Sequence, residues 1–212
     1  VTGRTGGQSH LGNVVARDAA ALDVSANAEV TDLSRLIDTG PYLGKHSDVV
    51  ALLTLEHQVR VQNLITRVGW DTRTALHQAT ERGGVAAPED LSRIERLAEP
   101  LVEALLFADE APLEAPVEGT SSFASEFEAK GPFDGEGRSL RKFDLRTRLF
   151  RFPLSYLVYS ASFDALPNLT KSYVFRRLRE ELARSPEEGR AALEILEETK
   201  PAFASSSGRD DR

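Results

Sequence analysis

The chain has 212 residues, 41% hydrophobic and 28% charged, a balance that suits a well-buried domain and argues against disorder. No apolar run approaches the ~20 residues that a membrane span needs. The absence of cysteine excludes disulfides, a thiol nucleophile, thiolate metal sites and Cys-x-x-Cys-His haem attachment within these residues.

The net charge of -7 is unevenly spread. From Glu81 to Lys130 there are twelve acidic and four basic residues; from Glu136 to Arg184 there are eleven basic and five acidic. That separation fits a bipolar surface or the internal docking of two lobes, and does not by itself imply nucleic acid. Methionine is also absent, so Val1 is not a translational start, and the chain reads as processed, truncated or part of something longer.

Residues 1–46 read as an irregular, glycine-rich arm, with Gly3, Gly6, Gly7, Gly12, Gly40, Gly44 and Pro41 as breaks. Asn13–Ala16 could form a short strand, and Thr31–Ile37 about two helical turns. The strongest element is a helix over Asp48–Arg82, with Ser47 as N-cap and Asp48 in the first turn. Its stripe is Val50, Leu53, His57, Val61, Leu64 and Val68; Leu52, Leu55, Val59 and Ile65 widen it, so the helix is expected to be central. Gly69 marks a bend and Gly83-Gly84 the end.

Pro88 opens an acidic helix to about Ala108, with Leu91, Ile94, Leu97, Leu101 and Leu105 inward and a kink or split at Pro100. Asp109–Thr120 is an extended connector, and Ser121–Lys130 a short helix carrying Phe123 and Phe127. After the turn-rich Gly131–Gly137 comes the basic run Arg138–Arg151. Pro153–Asp164 is expected to be a helix with Leu154, Leu157, Val158 and Ala161 inward. Pro167 precedes an amphipathic helix with the stripe Tyr173, Val174, Leu178 and Leu182. A last helix runs over Pro186–Thr199, and 205–212 is expected to be a disordered tail. The expected fold is thus all-α: a long central helix, about five further helices and an irregular arm. The helical domain spans 47–204, with 47–108 and 121–204 as alternative lobes.

His57 is the histidine to watch, because it lies on the apolar stripe. A buried imidazole must pair its ring nitrogens or bind a metal. It is either a core histidine bonded to a carbonyl or carboxylate, or a ligand or proton-transfer group. The structural reading is favoured, since no second ligand can be placed beside it on the helix. The histidines His10, His46, His57 and His77 share no zinc-type spacing, and His77 reads as a surface residue.

Gly3–His10 lacks the Gly-Lys-Ser/Thr ending of a phosphate loop. It is a flexible turn, or a loop whose backbone approaches a flat cofactor and presents His10. The basic run alternates arginines with phenylalanines, yet matches no nucleic-acid-binding signature, so no nucleic-acid partner is expected. Its arginines are also available to carboxylates, and Arg146 and Arg148 are carried as candidate cofactor-binding residues. With no Gly-x-Ser-x-Gly elbow, Ser/His/Asp catalysis is not expected.

Four stretches carry a likeness: Val1–Gly3 with Gln8–Asn13, Ser47–Gln58, Asn63–Arg67, and Arg138–Arg141 through Ser155–Ser160 to Phe163–Pro167. On these the sequence resembles a family of bacterial proteins, generally predicted to be exported, that carry a c-type haem attachment motif upstream. The resemblance implies a periplasmic or otherwise extracytoplasmic, cytochrome c-like protein supporting electron transfer. Its haem c would be attached outside this chain, on a missing N-terminal segment or a protein partner. That family often has methionine where Leu11 stands and cysteine where Leu154 stands. If the methionine is a haem ligand, Leu11 cannot replace it, and His10 or His57 remains as candidate iron ligand. The family supplies no reaction to inherit. The alternative function is a non-catalytic scaffold or docking subunit of a larger, membrane-bound assembly.

Overall fold

A computed structural model describes residues 1–6, 18–21, 29–84, 87–108 and 110–208. The fold is all-α: α1 (Val49–Glu81), α2 (Pro88–Leu105), α3 (Phe123–Glu128), α4 (Ala161–Asp164), α5 (Asn168–Arg184), α6 (Glu187–Thr199) and α7 (Pro201–Ala204). Among the described residues only isolated β-bridges occur, and no helix is long and apolar enough to cross a membrane. The expected strand at Asn13–Ala16 lies outside the described residues. Thr31–Ile37 contains a single 3-10 turn, Leu33–Arg35, capped by the Asp32 carboxylate.

The chain forms two compact units, each assembled from separate pieces. The first takes residues 1–56, 111–130 and 143–150; the second takes 57–110, 131–142 and 151–212.

In the first unit the amino-terminal arm is stitched into place by its backbone. Thr2 N–H donates to Ser47 O at 2.7 Å, Thr2 O accepts from Val49 N–H at 2.8 Å, and Arg4 exchanges two 2.8 Å bonds with Glu118. Gly3 makes this possible. Its φ is +149°, and a Cβ there would lie 2.3 Å from Val49 Cγ1 and 2.9 Å from Glu118 O. Gly3→Ala is expected to cost about 1–3 kcal/mol, read as a lower urea midpoint, because strain and overlap act together. An unchanged midpoint would mean the arm is not anchored this way.

Asp48 joins the same unit together. Its Oδ1 accepts from Val50 N–H at 2.8 Å and Ala51 N–H at 3.3 Å, which makes it the N-cap of α1 in place of Ser47. Its Oδ2 accepts from Thr120 N–H, Ser121 N–H and the Ser121 hydroxyl at 2.9, 2.8 and 2.6 Å. Gly119 allows that approach, since a Cβ would stand 2.6 Å from Asp48 Oδ1. Around this hub Val49, Val50 and Val117 form an apolar centre, with Leu113, Phe123 and Phe143 against it. Phe143 stacks on Phe150 at 5.1 Å and meets Phe127 at 5.2 Å, so the aromatics of the basic run are packing groups.

In the second unit the buried face of α1 is His57, Val61, Ile65, Val68, Thr72, Ala75 and Ala79, an unbroken series of three- and four-residue steps. The stripe is narrower than the sequence suggests. Leu52, Leu55 and Val59 are exposed, and Leu53 and Leu64 are half-buried. The helix is continuous through Gly69, a buried position where a Cβ would come within 3.3 Å of Leu166.

Helix α2 is also unbroken, with Pro100 inside it on the exposed side. The carbonyl that loses its partner to proline therefore lies on a solvent face. Ile94, Ala98, Leu101, Val102 and Leu105 are buried, whereas Leu91 is exposed. Helix α5 packs on α2 and on α6. The basic α5 meets the acidic α2 through Arg177, which reaches Glu99 at 2.8 Å, and Arg176, which reaches Glu95 at 3.2 Å. Part of the charge asymmetry is thus spent inside this unit.

Pro153–Asp164 does not form one helix. It makes a 3-10 turn, Tyr156–Tyr159, and then the single-turn α4, with Ala161 exposed. Ser155 and Ser160 divide it: their hydroxyls accept from Leu157 N–H and Phe163 N–H, offering the backbone an alternative to continuous helix.

Candidate functional site

Helical spacing turns His57 into the second unit, one step before Val61 on the buried stripe. Its side chain is 2% exposed. Nδ1 lies 2.8 Å from Glu110 Oε1, and Nε2 lies 2.7 Å from Ser155 Oγ. Glu110 is delivered by the turn that ends α2. There Phe107 adopts φ +57°, and Glu110 N–H donates to Phe107 O at 3.2 Å. The Phe107 ring lies 4.6 Å from the imidazole, and the Tyr156 ring 6.4 Å.

Ser155 is held just as firmly. Its N–H donates to Leu105 O at 2.8 Å, and its hydroxyl caps the 3-10 turn by accepting from Leu157 N–H at 3.2 Å. Tyr156 donates to Gln58 Oε1 at 3.2 Å and lies 4.6 Å beneath the Arg141 guanidinium. Burial pushes the Tyr156 phenol up to about 12, with Arg141 pulling the other way.

A serine, a histidine and a carboxylate in a hydrogen-bonded row is the geometry of a nucleophilic relay. The sequence offered no support for one, and the row exists. Its setting decides the chemistry. A nucleophile must be approached by a carbonyl carbon, but Ser155 is fully buried and its oxygen already accepts a backbone N–H. The row therefore works as a buried polar network in which each member satisfies the next. A carboxylate oxygen only accepts, so Nδ1 is assigned as the donor to Glu110; in that tautomer of the neutral ring Nε2 accepts the Ser155 O–H.

The same occupancy bears on haem. An iron ligand needs a ring nitrogen whose lone pair faces the metal. Both nitrogens of His57 instead face partners less than 3 Å away. In this arrangement His57 does not fit an iron ligand. His10 and Leu11 lie outside the described residues. His46 Nδ1 sits 3.1 Å from Thr120 Oγ1, and exposed His77 faces Glu81 at 3.4 Å. Among the described residues no cluster of three or more His, Cys, Asp or Glu side chains is placed to hold a metal ion.

Arg146 and Arg148 belong to the other unit, on a turn organised by Asp144. The Asp144 carboxylate accepts from Thr147 N–H, the Thr147 hydroxyl and Arg148 N–H at 2.8, 2.6 and 3.0 Å. Burial raises the Asp144 carboxyl, but these bonds outweigh it and hold the group below the ordinary aspartate range. Arg146 is exposed and Arg148 half-buried.

Reading the sequence missed Glu110 and Ser155, which stand 53 and 98 residues from His57. The available signal was general: a histidine on an apolar stripe requires two polar partners. Comparison with protein-family models, with curated proteins and with solved structures found no match.

Proposed function

We propose that this chain is the helical docking part of an extracytoplasmic, haem-associated protein that supports electron transfer. It holds a haem-bearing segment or partner and supplies no reacting group of its own. The observation that carries the docking role is the stretch 36–43 in the first unit. Leu36, Ile37, Tyr42 and Leu43 are all exposed there, Tyr42 at 65%. Single exposed apolar side chains are ordinary, but large ones concentrated on one short irregular stretch mark a surface that another body covers.

The haem part is supported by the likeness of the four quoted stretches to exported haem-bearing proteins. On this reading the haem is attached to residues outside this cysteine-free chain. Arg146 and Arg148 are candidate contacts for its carboxylates. The competing reading, a scaffold with no haem nearby, is favoured by the complete engagement of His57.

The natural protein, purified from a host that matures c-type haem, is expected to show a Soret band that shifts on reduction. Tyr42→Asp combined with Leu43→Asp is expected to loosen the haem-bearing segment or partner, seen by limited proteolysis or co-purification, with helical circular dichroism retained. No haem absorption in either redox state removes the haem part and leaves the scaffold. Unchanged association in the double variant removes the docking role.

A further inference from the structure

The start of α5 and the C-terminal turns of the second unit enclose a cleft of about 290 Å³ lined by Lys171, Arg176, Arg179, Asn168, Ser172 and Ser206, among others. Three cations face it, and among the described residues no acidic side chain lines it. Arg176 is neutralised elsewhere, by Glu95 and Glu180 at 3.2 Å each. The other two are not. Lys171 Nζ donates to the Asp164 carbonyl oxygen at 2.8 Å, a neutral acceptor. Arg179 Nη2 donates to Phe203 O at 3.0 Å and Ser206 Oγ at 3.4 Å, again neutral, and its guanidinium lies 4.1 Å from the Phe203 ring centroid. Its Nε is buried with no acceptor. Among the described residues, neither Lys171 nor Arg179 has a carboxylate in ion-pair range.

Two like charges facing one small cleft without a counter-ion are unfavourable, and a buried donor left unmade adds to the cost. An anion in the cleft relieves the first. The first turn of the 17-residue α5 adds the positive end of its dipole on the same side, since Asn168 and Lys171 belong to that turn. Stacking on Phe203 and the two Nη2 bonds hold the Arg179 guanidinium in one plane, a fixed positive charge at the cleft. The volume admits only a small ligand. Two uncompensated positive charges match a dianion better than a monocarboxylate.

We propose that this cleft binds a phosphate-type dianion, as free phosphate or as the head of a phosphomonoester, through Lys171 and Arg179. The site is independent of the haem reading.

Calorimetric titration of the full chain at low ionic strength and about pH 8 tests it, with inorganic phosphate, glycerol phosphate and acetate as probes. Saturable one-site phosphate binding is expected, at least about tenfold tighter than acetate. Lys171→Ala and the charge-retaining Arg179→Lys should each weaken it about tenfold while leaving circular dichroism unchanged. Tighter glycerol phosphate would identify the phosphomonoester as the ligand class, and tighter inorganic phosphate the free ion. Absence of saturable phosphate heat, acetate binding as tight as phosphate, or two variants that bind like the parent would each overturn the proposal.

Discussion

Asp48→Ala is expected to be among the most destabilising single changes in this chain, at about 3–5 kcal/mol in urea unfolding. The substitution removes the acceptor of four backbone N–H groups and one hydroxyl, at a residue that is 7% exposed. It uncaps α1 and detaches Thr120 and Ser121 in one step. Asp48→Asn should fall between, because its amide oxygen replaces one acceptor while its NH2 opposes donors. The carboxylate also makes stability depend on pH. Burial raises its pKa, but hydrogen bonds from Ser121, Ala51 and Val50 outweigh that, and the folded-state value lies below the ordinary one. A depressed acid contributes fully above its unfolded pKa of about 3.9, and that contribution fades as pH falls through the lower folded value. Parent and Asp48→Asn stability curves should therefore begin to converge below about pH 4 and meet only beneath the lower folded value. A variant within 1 kcal/mol of the parent, estimated from surface-substitution behaviour, would show that the hub is not structural.

The second large effect belongs to His57. His57→Ala should cost about 3–4 kcal/mol, combining a core cavity with the loss of both hydrogen-bond partners. Ser155 is the more exacting of those partners because it is fully buried. His57→Gln retains one donor and one acceptor and should cost about 1–3 kcal/mol. In a double-mutant cycle, His57→Ala and Ser155→Ala should be strongly non-additive, since each removes the same bond. Far-ultraviolet circular dichroism should stay near the parent's in every variant that folds. A serine-directed fluorophosphonate should leave Ser155 unlabelled; covalent labelling there would reinstate a nucleophilic role.

Much of the helical plan was legible because helices advertise themselves locally. The steps from His57 to Ala79 repeat every three or four residues, and Pro88 and Gly83-Gly84 punctuate the chain where α1 ends and α2 begins. What periodicity does not reveal is width. Leu52, Leu55 and Val59 carry the composition of a core face and stand exposed. Capping was half legible: Ser47 and Asp48 are both good caps, and the choice of Asp48 depends on Thr120 and Ser121, more than 70 residues away. The segment from Pro153 to Asp164 has helical patterning, yet two serine hydroxyls divert its backbone. The His57 network was least legible. Its members come from the middle of α1, the turn after α2 and the cap of a 3-10 turn, and no spacing rule links them.

The arrangement of the first unit has a consequence for the order in which the molecule folds. Thr2 bonds to residues 47–49 and, through its hydroxyl, to Thr120, 118 positions along. Asp48 reaches Thr120 and Ser121 across 72 and 73 positions. The stack of Phe127, Phe143 and Phe150, by contrast, is local in sequence. The Thr2 and Asp48 contacts form late, because each closes a long loop, with about 0.6 kcal/mol of added entropy cost per doubling of loop length. During synthesis the amino-terminal arm must wait for its last partners until Thr120 has left the ribosome. At roughly 5–20 residues per second that is a delay of several seconds or more. Over that interval Val49 and Val50 lack their partner Val117, and it is then that the nascent protein is most open to chaperone capture or aggregation.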